Sequence, residues 1–148
     1  MPELGMSTRK PFDPAVAHGS LFHALADARA EHGGSRTALV DGDDRALSYD
    51  EIIRASFALG SALKAGTRSA ECVGVMLPTG VAAALTFFAL SAFGRIPTML
   101  NFTSGLAGLK SALCTAKVNR VVTARRAQSH DIPRRSSRAA PISFRYAS

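Results

Sequence analysis

Apolar and polar positions alternate along this chain in blocks whose period changes from helix-like to strand-like and back. From Ser20, a plausible N-cap, the residues Leu21, Phe22, Leu25 and Ala28 fall on one helical face, and Gly33 and Gly34 end the pattern. Thr37 to Asp41 and Ala46 to Tyr49 are short strand-like runs joined by Gly42, Asp43 and Asp44, which predicts a hairpin. Ser48-Tyr49-Asp50-Glu51 then has the spacing of a capping box. The helix it opens should bury Tyr49, Ile52, Ser56, Leu59 and Leu63 and stop at Gly66.

The densest apolar stretch runs from Cys72 to Asn101. Cys72 to Leu77 is apolar throughout apart from Gly74, as expected of a strand buried on both faces of a parallel sheet. Pro78 ends it, Thr79 can cap a helix running to about Phe93, and Gly94 closes that helix. Ile96 to Leu100 reads as the next strand. Thr103 or Ser104 then caps a helix with Leu106, Leu109, Leu113 and Ala116 on one face, and Val121 to Thr123 follows as a third strand. Strands alternating with crossover helices pair in parallel. The expected fold class is α/β, a βαβαβ parallel half-sheet preceded by a helix and a small hairpin.

The 23 uncharged residues between Glu71 and Arg95 are numerous enough to raise a membrane span. Pro78, Thr79 and Gly80 divide them, leaving a helix of about 15 residues, or roughly 22 Å against a hydrocarbon core of ~30 Å. No transmembrane segment is expected, though peripheral association with a membrane stays open.

At 148 residues, 47% hydrophobic and 20% charged, the chain has the size and composition of one globular domain. Its formal charge of +7 is unevenly spread: residues 124–148 hold six arginines against Asp131 alone, while residues 1–123 hold 12 basic against 10 acidic residues. The basicity therefore belongs to the tail. Residues 1–19 read as a flexible leader, 20–126 as the folded part, and 127–148 as a disordered arginine-rich tail.

Candidate chemistry is sparse. Gly105-Leu-Ala-Gly108-Leu109-Lys110-Ser111 follows a strand and opens a helix, yet a leucine separates the second glycine from the lysine, so a helix start explains it better than a phosphate loop. His18, His23, His32 and His130 are dispersed, and Cys72 and Cys114 lack partners at metal-ligand spacing. Asp41, Asp43 and Asp44 crowd a turn and could attract a cation, which a solvated hairpin tip explains more simply. Asn101-Phe102-Thr103 matches a glycosylation sequon without an apolar leader to give it context, and a cytoplasmic location is the default. Catalytic, cofactor-binding and metal residues are accordingly set at none. The arginines of the tail, with Phe144 and Tyr146, support at most non-specific, salt-sensitive contact with nucleic acid or anionic lipid.

From about Ser20 to Arg126 the order of pieces, TALVDGD, ALSYDEI, VGVMLPTG, AFGRIP, TMLN and VVTARR, resembles the start of the AMP-forming acyl-activating enzymes: acyl-CoA synthetases, adenylation domains and luciferases. GRIPTMLNFTSG is most similar to bacterial acyl-[acyl-carrier-protein] synthetases, some of them fused to 2-acylglycerophosphoethanolamine acyltransferase. The resemblance implies a ligase that uses ATP and Mg²⁺ to convert a fatty or other carboxylic acid to acyl-AMP. A phosphopantetheine thiol of CoA or acyl carrier protein would then take the acyl group. The family's Ser/Thr/Gly-rich phosphate loop, its ribose-binding aspartate and its catalytic lysine would lie beyond residue 126 and have no counterpart here. The expectation is thus a truncated amino-terminal part with an unrelated tail, inactive by itself. The alternative is a small non-enzymatic protein that binds nucleic acid or anionic lipid through its arginines.

Overall fold

The structure is a computed structural model and describes Pro14 and residues 19–42, 44–124 and 142–146. Helix α1 spans Leu21–His32 and is followed by the antiparallel hairpin β1 (Thr37–Val40) and β2 (Ala46–Ser48) and by α2 (Tyr49–Lys64). Then come β3 (Cys72–Met76), α3 (Val81–Ala92), β4 (Ile96–Met99), α4 (Gly105–Thr115), β5 (Arg120–Ala124) and β6 (Ile142–Tyr146). The main sheet has the order β4-β3-β5-β6, and β3 pairs in parallel with both β4 and β5. The expected βαβαβ unit is present, with its most apolar strand at the centre.

Two helices of the unit lie on opposite faces of that sheet. Val73, Val75 and Val122 point toward α2 and α3, where they pack with Leu63, Ala89 and Leu90. Val73, Val75, Leu90 and Val122 are fully buried, each contributing on the order of 1.5–3 kcal/mol. Cys72, Met76 and Val121 point the other way, where Leu109 and Leu113 of α4 and its C-cap Ala116 meet Leu100 and Val118. A third cluster, Leu25, Leu47, Ile52 and Val81, docks α1 and the hairpin on the start of α3.

The helix ends follow local chemistry. The Ser48 hydroxyl accepts from the Glu51 N–H at 3.4 Å while the Glu51 carboxylate accepts from the Ser48 N–H at 2.8 Å, completing the capping box. Replacing Ser48 by alanine is expected to cost about 1 kcal/mol, read as a lower midpoint in urea with an unchanged slope. At the end of α3 the Arg95 N–H reaches the Leu90 carbonyl and the Gly94 N–H the Ser91 carbonyl, a Schellman closure with Gly94 at φ +69°.

Helix α4 ends in the same way, with Val118 bonded to Leu113 and Lys117 to Cys114, but Lys117 holds the left-handed position at φ +51°. Lysine pays there what glycine does not, about 1 kcal/mol. Lys117→Gly should therefore raise the melting temperature by a few degrees, and a lowered melt would refute the strain.

Several expectations need correction. Leu21 and Leu106 were placed on buried helix faces, but they are 54% and 70% exposed because Phe22 and Leu25, and Leu109 and Leu113, take the inward positions. The cap of α3 is Gly80 rather than Thr79, and it makes no side-chain capping bond. A 3-10 turn over Phe102–Ser104 precedes α4.

Disorder over 127–148 does not hold for 142–146, which pair antiparallel with β5 from Arg120↔Tyr146 to Ala124↔Ile142. Ile-Ser-Phe-Arg-Tyr alternates with the period of a strand, and β5 offers it an open edge. The rest of that tail, and the leader apart from Pro14 and Gly19, lie outside the described residues.

Candidate functional site

In an open sheet with helices on both faces, ligands bind at the carboxyl ends of the strands, where successive connections leave in opposite directions. Here the chain goes from β3 to β4 on one side and then to β5 on the other, so that point lies between β3 and β5. Its rim is formed by residues 77–80 after β3, with residues 101–105 after β4 beside them.

The rim has little chemistry. Leu77 is buried, Pro78 and Thr79 are exposed, and Gly80 turns the chain into α3 at φ +152°, which favours glycine. A Cβ at Gly80 would sit 3.3 Å from Asp41 Oδ1, so the hairpin brings this acid to the uncapped start of α3. A carboxylate at a helix N-terminus is electrostatically favourable, and the same oxygen accepts from the Gly42 N–H at 2.8 Å. Asn101 Oδ1 accepts from the N–H and hydroxyl of Thr103, closing the turn before α4.

Charge sits at the opposite end of the strands. The Glu71 carboxylate accepts from the Arg68 N–H at 2.7 Å and pairs with Arg120 at 2.5 Å, tying the loop before β3 to the start of β5. Burial acts to raise the Glu71 pKa, but these donors and the two arginine charges outweigh it and hold the carboxyl below its ordinary range. Arg95 donates from Nε to the Thr67 hydroxyl at 3.0 Å, from Nη2 to the Thr67 carbonyl at 2.7 Å and from Nη1 to the Phe93 carbonyl. These contacts join elements of the fold and leave the carboxyl rim without a described lysine or arginine on residues 77–80 and 101–105.

The residues weighed from sequence are not brought together. Gly105 to Ser111 forms the first turns of α4, with Leu109 packed on the sheet and Lys110 exposed. His23 sits beside the Ser20 hydroxyl and His32 beside the Tyr49 ring, whereas His18, His130 and Asp43 lie outside the described residues. Cys72 and Cys114 are free thiols. Among the described residues no group of three His, Cys, Asp or Glu could hold a metal ion, and no helix is long and apolar enough to cross a membrane. Residues 77–80 and 101–105 of the rim carry no charged side chain to meet magnesium or the phosphates of ATP. The part-buried Glu71–Arg120 and Arg95–Thr67 contacts were not expected from sequence, although the charged residues just ahead of β3 and β4 and at the start of β5 were the visible signal.

The fold defines a partial doubly wound α/β unit, a parallel three-strand sheet with helices on both faces. The AMP-binding enzyme family model matches residues 26–143, well over half of the chain, and the protein belongs to that family. The match runs beyond residue 126, where the pieces recognised in the sequence end.

Among solved structures the chain is similar to the Klebsiella oxytoca NpsA N-terminal subdomain bound to 3-hydroxybenzoyl-AMSN. That likeness has TM-score 0.64 and 17% identity over 70% of this chain and 26% of the other. It is also similar to the anthranilate CoA ligase AuaEII with anthranoyl-AMP, at TM-score 0.63 and 21% identity over 71% of this chain and 20% of that one. VinN with 3-methylaspartate gives TM-score 0.62 and 22% identity over 68% and 28%. At these identities the likeness is one of fold. The chain spans between a fifth and three tenths of the length of each of these three structures.

Proposed function

We propose that these residues are the amino-terminal part of an ATP-dependent acid–thiol ligase. The supporting observation is a family match that runs unbroken along the doubly wound unit. In the full-length enzyme a fatty acid carboxylate attacks the α-phosphate of ATP, the bond to pyrophosphate breaks, and acyl-AMP forms. A phosphopantetheine thiol of acyl carrier protein or CoA then takes the acyl group and AMP leaves. GRIPTMLNFTSG favours the carrier-protein branch. A cytoplasmic location belongs to the same reading.

In this scheme the described residues build scaffold. β3, β4 and β5 present their carboxyl ends, and Gly80 and Asp41 set the start of α3, but no described residue there offers a cation or a nucleophile–base pair. Such a site needs pre-placed donors to stabilise charge on the transferring groups. On this reading the 148-residue chain is inactive alone.

ATP–pyrophosphate exchange with a panel of carboxylic acids tests both parts of the proposal. The 148-residue protein should give no exchange above background. The longest polypeptide encoded by its locus, with the downstream DNA read in all frames, should encode the phosphate loop ending in Pro-Lys-Gly and give carboxylate-dependent exchange. Activity in the short chain overturns its inactivity, and a locus without that loop overturns the ligase assignment.

A further inference from the structure

We draw no further inference here: the strongest candidate, the outer edge of β4 with Ile96 and Met99 exposed on it, is an apolar edge without a partner among the described residues, and nothing in the structure shows what covers it.

Discussion

Gly74→Val should destabilise the protein by about 3 kcal/mol, lowering its melting temperature by roughly 10–20 °C. Gly74 lies in the middle of the central strand, paired with Thr98 on one side and Val121 on the other. A Cβ there would stand 2.7 Å from Leu100 Cδ1 and 3.1 Å from methyl carbons of both Val118 and Val121. One flexible leucine end can move; two β-branched neighbours held in strand and turn cannot move as readily. The intrinsic strand preference of valine over glycine is worth at most ~1 kcal/mol, so overpacking decides the sign.

Gly74→Ala should lie between the wild type and the valine variant. Gly66→Ala is the control, because nothing stands within 4 Å of its Cβ position and its φ is not left-handed. That change should be neutral or stabilising by a few tenths of a kcal/mol. Equal melts for Gly74→Val and wild type would mean that Leu100, Val118 and Val121 do not close over Gly74 as described.

The second large effect concerns acid. Arg120→Met should cost about 2–3 kcal/mol at pH 7, because it leaves a carboxylate only 12% exposed without its guanidinium. The arginine is itself 23% exposed, which places the pair between a surface bridge worth under ~1 kcal/mol and a fully buried one.

The sign with pH follows from the depressed pKa of Glu71. Its contribution is fully present above the unfolded-state value of about 4.3 and is lost as pH falls through the lower folded value. Glu51 acts in the same direction, since the Ser48 N–H and hydroxyl hold its carboxyl below the ordinary range. Thermal melts between pH 3 and 7 should therefore show an acid limb that is shallower in Glu71→Gln than in wild type. A limb of unchanged slope would show that Glu71 does not carry this linkage.

Much of the fold was legible because its signals are local. Ser48 and Glu51 lie three residues apart, so their reciprocal bonds form within one turn, whatever packs around them. The apolar run of β3 could be read as a strand buried on both faces of a parallel sheet because a half-exposed strand would alternate apolar with polar residues. Pro97 fits the same logic. Ile96 and Leu100 donate their N–H groups to Glu71 and Val75, so alternation turns the position lacking an N–H to the open edge of β4.

The illegible parts depend on groups distant in sequence. Leu21 and Leu106 fit the helical period as well as their buried neighbours do. Only the position of the partner element decides which side of an apolar stripe faces inward. The strand at 142–146 was hidden within an arginine-rich composition although its alternation is plain.

By itself the sequence determined the α/β class, the order of elements from α1 to β5 and the caps of α1 and α2, which follow from periodicity and short-range chemistry, while the family came from the resemblance of its ordered pieces to the AMP-forming enzymes. Tertiary structure alone decided that β3 lies between β4 and β5, that β6 adds to the open edge of β5, and that Glu71 meets Arg120 while Asp41 meets the start of α3. The physical reason is loop closure. Contacts between residues dozens of positions apart are chosen by the free energy of the whole packed sheet, and no local pattern encodes that choice.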